Sequence, residues 1–191
     1  MFIPGKIVKK IRLKNGKEAV IRYPKWEDLE ELISYINELS KEDTYITFSG
    51  EEITKEKEAD FLASRFKEME FGDCVMLVGI VENTIAGIVD VGRKKRGKAR
   101  TKHVARLGIS VRKQFRDLGL GRALLKTIIT EVRQKVEGIK MITLEVYSEN
   151  KRAINLYKSE GFEEYGKLRK GVFYRGRYID GIKMVLYLKE F

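Results

Sequence analysis

The chain has 191 residues, a formal net charge of +11, a charged fraction of 35% and one cysteine, Cys74. One cysteine excludes an intrachain disulfide, and no apolar run reaches the roughly 20 residues that cross a bilayer. We therefore expect a cytoplasmic protein with one domain over residues 1–191, because single domains usually hold about 100–200 residues. The positive charge fits either a nucleic acid or a small polyanionic ligand.

The first predicted elements are a hairpin and two helices. Apolar and basic residues alternate on both sides of Asn15-Gly16, a dipeptide that favours a tight hairpin turn. This pattern predicts an N-terminal hairpin whose second strand covers residues 18–23. Apolar residues then recur at helical spacing within 25–40 and again within 54–69, which predicts two consecutive helices.

The rest of the chain predicts strands and helices in alternation. The expected elements are an antiparallel strand pair within 74–92, a strand at 104–111, a helix at 119–136, a strand at 140–147, a helix at 151–159 and two strands around 174–178. We therefore expect an α/β (α+β) fold with a mixed, mostly antiparallel sheet of about seven strands and helices on both faces. The hairpin, about 1–17, is an extension of a core at about 18–190.

One turn combines charge and missing side chains. Between the strand at 104–111 and the following helix, residues 116–121 read Arg-Asp-Leu-Gly-Leu-Gly, and we call this segment the glycine turn. The N–H groups at a helix start have no intrahelical partner, and glycine lets an anion approach the backbone. The pattern alone fits a phosphate site and an ordinary tight turn equally well. It lacks the Gly-Lys-Ser/Thr ending of the Walker motif.

A second group of polar residues follows downstream. Asn150 and Tyr157 are seven residues apart, so they share one face of the helix at 151–159. Glu145 lies on the preceding strand between apolar neighbours, and we expect these to desolvate its carboxylate and make it a better base. The alternatives are a helix cap for Asn150 and a core position for Tyr157.

Together the stretches "LGISVRKQFRDLGLGRALL" and "LEVYSENKRAINLYKSEGF" resemble the GNAT superfamily of N-acetyltransferases. The resemblance implies acetyl-CoA as co-substrate, with its pyrophosphate on the glycine turn and its pantetheine arm along the preceding strand. The implied acetyl-CoA residues are Ile109, Ser110, Val111, Arg116, Asp117, Leu118, Gly119, Leu120, Gly121, Arg122 and Asn150.

The spacing of Glu145, Asn150 and Tyr157 is most similar to that in ribosomal-protein-alanine N-acetyltransferases. This similarity implies that Glu145 is the base and Tyr157 the acid of a direct transfer that needs no metal. Glu51 and Glu52, in the segment before the second predicted helix, are alternative bases.

The acceptor amine is left open by the sequence. The resemblance favours a protein N-terminal α-amine, but the double tyrosine of the protein-acetylating members is only partly matched by Phe173-Tyr174. A small amine, either a polyamine or an amino acid, is the alternative acceptor. A homodimer is compatible with the sequence, which does not specify an oligomeric state.

A basic loop at 93–102 supports a different class of function, a non-catalytic CoA- or nucleic-acid-binding module on the same fold. We expect this loop to be a solvated hairpin tip and nucleic acid not to be a partner. The sequence around His103 does not match a metal-binding pattern, and Cys74 lies in an apolar run typical of a buried residue.

Overall fold

A computed structural model of the chain describes residues 2–93 and 99–188. The strands are β1 (Ile7–Arg12), β2 (Glu18–Arg22), β3 (Cys74–Val81), β4 (Thr84–Arg93), β5 (Val104–Val111), β6 (Met141–Tyr147), β7 (Glu163–Tyr174) and β8 (Arg177–Tyr187). The α-helices are α1 (Leu29–Lys41), α2 (Lys55–Glu70), α3 (Leu120–Lys135) and α4 (Lys151–Ser159). Residues 94–98, which are half of the predicted basic loop at 93–102, lie outside the described residues.

The strands form one eight-stranded sheet in the order β1-β2-β3-β4-β5-β6-β8-β7. β5 and β6 run parallel, and α3 connects them in the chain, which is a βαβ unit. The pairs β1/β2, β2/β3, β3/β4, β6/β8 and β7/β8 are antiparallel. The predicted fold class is therefore confirmed, and the N-terminal hairpin adds its first strand to the edge of the sheet.

The N-terminal hairpin turns where the sequence predicts it. The Leu13 N–H donates to the Lys17 carbonyl over 2.8 Å, and the Gly16 N–H donates to the Leu13 carbonyl over 2.9 Å. Gly16 has φ +83°, a left-handed conformation that glycine adopts without a steric penalty. The Leu13 side chain is buried, so the first residue of the turn packs in the core.

The chain divides into two compact units, the first comprising residues up to Gly92 together with Gly108–Glu137. In this unit Cys74 and Gly79 lie five residues apart on β3 and so face opposite sides of the sheet. Arg65 of α2 approaches the Cys74 sulfur at 3.6 Å, whereas a Cβ added at Gly79 would lie 3.0 Å from Leu120 of α3. Helices α2 and α3 therefore cover opposite faces of the sheet, as predicted.

Two glycines let α3 pack closely on the sheet. Gly79 of β3 and Gly87 of β4 are cross-strand partners. A Cβ at Gly87 would lie 2.8 Å from the Leu124 side chain and 3.2 Å from the Ser110 carbonyl. Since real Cβ contacts are not this short, the missing side chains let the first turns of α3 pack against the strands.

The second unit comprises Arg93–Leu107 and the residues from Gly138 onward. Its centre is the β6/β8 pair, in which Glu145 is the cross-strand partner of Lys183. Helix α4 follows β6 and ends at Ser159. Two residues later, at Gly161, the backbone turns with φ +90°, and a Cβ there would lie 3.3 Å from Leu186 of β8. The single domain expected from chain length remains a prediction.

Among the described residues, none of the helices combines the length and the apolar character that crossing a membrane requires.

Candidate active site

The glycine turn leads from β5 into α3 through two left-handed residues. After a short 3-10 turn at Lys113–Phe115, Asp117 has φ +62° and Gly119 has φ +94°. Gly119 is the N-cap residue of α3, and a Cβ added there would meet nothing within 4 Å. The backbone at this position is therefore reachable from solvent, and only conformational strain limits what replaces the glycine.

The start of α3 presents backbone donors without a side-chain cap. No side chain caps the helix at Gly119, and the Ala123 N–H donates to the Gly119 carbonyl over 3.1 Å as the first intrahelical bond. The N–H groups of Leu120 and Gly121 lie ahead of this bond, at the positive end of the helix dipole. This arrangement can hold an anion, which is one of the two interpretations that the sequence pattern left open.

Arg116 is tied to the protein itself. Its Nη2 donates to Oε2 of Glu42 over 2.7 Å, its Nη1 contacts the other Glu42 oxygen, and its Nε donates to the Val111 carbonyl over 2.8 Å. Glu42 is the C-cap residue of α1. The guanidinium thus joins the end of α1, the end of β5 and the glycine turn, so it shapes the turn whether or not it also touches a ligand.

The end of β5 offers backbone rather than side chains. Ser110 Oγ lies 2.9 Å from the hydroxyl of Tyr35 on α1, and burial raises the pKa of Tyr35 well above its usual range. The register of β5 with β6 covers Val104 to Arg106, so Ile109 to Val111 lie beyond it. An extended ligand that pairs with this segment would therefore be recognised through main-chain groups.

Arg112 is a buried charge that the sequence analysis did not single out. Its Nη1 lies 3.1 Å from Glu31 and its Nε 3.3 Å from Glu38, and the guanidinium lies 5.4 Å from the Tyr35 ring centroid. Glu31, Glu38 and Glu42 are spaced by seven and four residues on α1, so they share one helix face. That spacing was a readable signal of an arginine-binding stripe.

In the second unit, Asn150 caps α4. Its side-chain oxygen accepts a hydrogen bond from the Ala153 N–H over 3.2 Å, which is the capping role considered as the alternative. The side-chain NH₂ group takes no part in this bond. Asn150 therefore caps α4 through its side-chain oxygen, and its role in binding acetyl-CoA remains a prediction.

Tyr157 is buried two residues before the end of α4. Its ring packs against Phe162 at 5.7 Å between centroids, and burial raises the pKa of Tyr157 to about 12. The phenol is therefore protonated throughout the neutral range and is able to donate a proton.

The prediction that the Glu145 carboxylate is desolvated is wrong. The side chain is exposed, because Leu144 and Val146 point to the opposite, buried face of β6. A Cβ at Gly181 of β8 would lie 2.6 Å from its Oε1, so the glycine makes room for the carboxylate. The role of Glu145 as the base remains a prediction.

The alternative bases are also exposed. Glu51 accepts a hydrogen bond from the Ser49 N–H, which lowers the pKa of Glu51 and weakens it as a base. Glu52 is exposed in the same segment, between α1 and α2.

Phe173 and Tyr174, at the end of β7, have different environments. The Phe173 ring is exposed and packs on Tyr178 at 5.1 Å, whereas Tyr174 is buried against Tyr147 at 6.1 Å. One exposed and one buried aromatic ring thus lie at the two positions compared with the double tyrosine of the protein-acetylating members.

Cys74 is buried, and burial raises the pKa of its thiol to about 12. A thiol with this pKa is a poor nucleophile at neutral pH. In the part of the chain that the structure describes, no group of three or more His, Cys, Asp or Glu is arranged to hold a metal ion.

Comparison with known proteins identifies the family. Residues 33–162 match the Acetyltransferase (GNAT) family. An N-alpha-acetyltransferase from Sulfurisphaera tokodaii is 31% identical to this chain over 82% of its length and 87% of the relative. The L-amino acid N-acetyltransferase AaaT from Escherichia coli is 31% identical over 56% of this chain and 65% of the relative.

Solved structures show the same fold. Ribosomal-protein-alanine N-acetyltransferase from Brucella melitensis superimposes with a TM-score of 0.77 and 27% identity, covering 88% of this chain and 99% of that one. YncA from Salmonella typhimurium, solved with its cofactor acetyl-CoA, superimposes with a TM-score of 0.78 and 22% identity, covering 91% and 95%. With the glycine turn and the residues of β6 and α4 in place, the chain belongs to the GNAT family and is an acetyl-CoA-dependent N-acetyltransferase.

Proposed function

We propose that this N-acetyltransferase acetylates the N-terminal α-amine of a protein. The observation that carries the proposal is the 31% identity to an N-alpha-acetyltransferase over 82% of the chain. The likeness to a ribosomal-protein-alanine N-acetyltransferase at 27% identity supports the same acceptor class.

The donor is assigned to the residues that the sequence singled out. The backbone of Asp117 to Arg122 binds the pyrophosphate, supported by the left-handed residues of the turn and by the uncapped start of α3. Ile109, Ser110 and Val111 pair with the pantetheine arm through main-chain groups, and Asn150 donates to it through its NH₂ group. Arg116 holds the turn through Glu42 and Val111.

Two side chains carry the proton transfers. An ammonium group has no lone pair, so Glu145 first takes a proton from the acceptor, directly or through water. The neutral amine then attacks the thioester carbonyl, the N–C bond forms and the C–S bond breaks. Tyr157 donates its proton to the departing thiolate, and its pKa of about 12 keeps that proton available at neutral pH. The acetylated nitrogen then loses its remaining extra proton, which returns to the Tyr157 phenolate, so the products are a neutral amide and the CoA thiol.

A free amino acid is the second candidate acceptor. The observation that favours it is the 31% identity to an L-amino acid N-acetyltransferase, although the chain spans 65% of that relative. The two candidates differ in what stands beside the amine, because a free amino acid carries a carboxylate and a peptide carries an amide. A site for the amino acid needs a cation or a set of N–H donors at that position.

The test measures CoA release with three acceptors: a peptide that begins with alanine, alaninamide and free alanine. We expect the peptide to have the highest kcat/KM, alaninamide to be intermediate and free alanine to be the poorest. A preference for free alanine over alaninamide would support the amino acid candidate instead. Absence of CoA release with every peptide tested would overturn the protein acceptor.

The base is tested by matched neutral replacements. Glu145→Gln, Glu51→Gln and Glu52→Gln each replace a carboxylate with an amide of the same shape on an exposed side chain. We expect only Glu145→Gln to lower kcat, by about 100-fold, and to shift the acidic limb of the pH profile. An equal or larger loss in Glu51→Gln or Glu52→Gln would move the role to that residue.

A further inference from the structure

The N-terminal hairpin reaches the glycine turn. The Lys14 N–H donates to the Leu118 carbonyl over 3.1 Å, and Leu118 directly precedes the N-cap residue of α3. The bond uses main-chain atoms on both sides, so it does not depend on the side chain at position 14. It fixes the Cα of Lys14 beside the segment that presents donors to an anion.

The hairpin holds this position firmly. Leu13 is 3% exposed, and its N–H is bonded to the Lys17 carbonyl at 2.8 Å. Arg12 also bonds across the turn, from its Nε to the Gly16 carbonyl at 3.2 Å. Lys14 therefore lies in a hydrogen-bonded turn whose Leu13 side chain packs in the core.

The Lys14 side chain differs from the neighbouring cations. Lys17 pairs with Glu82 at 2.7 Å, and the Arg12 guanidinium is bonded within the turn. Lys14 is exposed, and none of the carboxylates in the described residues lies within ion-pair distance of its ammonium. An unpaired ammonium on a four-carbon stem is free to reach a ligand beside its own Cα.

We propose that the Lys14 ammonium binds a phosphate group at the nucleotide end of acetyl-CoA. This end carries the pyrophosphate and the 3′-phosphate, which are the charged groups of the co-substrate. The proposal rests on the assignment of the pyrophosphate to Asp117–Arg122. Lys14 then adds a point charge to a site that is otherwise built from backbone N–H groups, so the two contributions reinforce each other.

The experiment compares Lys14→Ala with Lys10→Ala, which removes the same charge from an exposed position on β1. Each variant is assayed with acetyl-CoA and with 3′-dephospho-acetyl-CoA, at low and at high salt. We expect Lys14→Ala to raise the KM for acetyl-CoA about three- to tenfold with kcat unchanged, and Lys14→Arg to retain most of the affinity. The increase is expected to shrink at high salt because the lost contact is electrostatic.

The second donor locates the contact. An increase in KM for acetyl-CoA alone assigns Lys14 to the 3′-phosphate, and an equal increase for both donors assigns it to the pyrophosphate. A KM for Lys14→Ala that matches that of Lys10→Ala with both donors overturns the proposal. Gly119→Glu is measured alongside, because normal acetyl-CoA binding by that variant would refute the pyrophosphate assignment itself.

Discussion

The glycine turn and the β6–α4 segment, residues 141–159, have different proposed roles, because one would act through backbone groups and the other through side chains. The turn presents main-chain N–H groups, and even its arginine is occupied by Glu42 and Val111. In the β6–α4 segment the proposed functional groups are the side chains of Glu145, Asn150 and Tyr157. A backbone site depends on conformation and on missing side chains, whereas a side-chain site depends on the functional groups themselves. We therefore expect the two regions to differ in which substitutions lower activity and in which kinetic parameter changes.

The strongest test of this difference is Tyr157→Phe. The change keeps the buried ring against Phe162 and removes only the hydroxyl, so we expect kcat to fall by about 100-fold with the affinity for acetyl-CoA preserved. Steady-state kinetics and calorimetric titration measure the two quantities. Tyr165→Phe, at an exposed position on β7, is the matched control. A kcat within twofold of the parent would remove the acid role.

The converse test is Gly119→Glu in the glycine turn. A side chain at φ +94° is strained by about 1–2 kcal/mol, and a carboxylate there repels the pyrophosphate. We expect the Kd for acetyl-CoA to rise at least about tenfold, while Gly119→Ala, which adds no charge, has a smaller effect.

Gly138→Glu is the control for that strain. Gly138 has φ +75°, has nothing within 4 Å of an added Cβ and follows the opposite end of α3. It is expected to lose stability without losing affinity. Equal losses of affinity at both glycines would show that strain alone explains the result at Gly119.

A smaller effect on the KM for acetyl-CoA is expected when the Arg116–Glu42 ion pair is broken. If Arg116 acts by holding the turn, Arg116→Gln and Glu42→Gln each raise the KM for acetyl-CoA about fivefold, and the double variant is no worse than either one. The double-mutant cycle measures this coupling. A large effect of Arg116→Gln together with no effect of Glu42→Gln would instead place the guanidinium on the phosphate.

The smallest effect concerns stability at high pH. The Tyr157 pKa is about 12 in the folded protein and 10.0 in the unfolded chain, so below pH 10 both states keep the proton. Between pH 10 and 12 the unfolded state releases it first, and stability falls as pH rises. At pH 11 this amounts to about 1 kcal/mol, or roughly 3 °C in Tm, measured by thermal unfolding against Tyr157→Phe. An identical pH dependence in that variant would contradict the assignment.

Much of the fold could be predicted because its signals are local. The hairpin follows from Asn15-Gly16, and the predicted bounds of β5 and α4 match the structure. The position of the glycine turn was also readable, because glycine and charge are concentrated between a strand and a helix.

Other features could not be read in the same way. Arg116 and Glu42 are 74 residues apart, and no local pattern shows that they meet. Glu145 is a different case, since its apolar neighbours suggested burial although the two-residue period of a strand places them on the other face. A strand residue flanked by two apolar neighbours lies on the face opposite to both of them, so apolar neighbours in sequence do not bury it.

The glycine pair beneath α3 has a consequence for genetic suppression. An alanine at Gly87 collides with the end of the Leu124 side chain, and a shorter residue at position 124 relieves this contact. The alanine also approaches the Ser110 carbonyl, and no substitution at position 124 relieves that contact. Second-site revertants of Gly87→Ala are therefore expected at Leu124, and they are expected to recover only part of the parental activity. The remaining defect comes from the contact with the Ser110 carbonyl of β5, because this is a main-chain atom that a side-chain substitution does not remove.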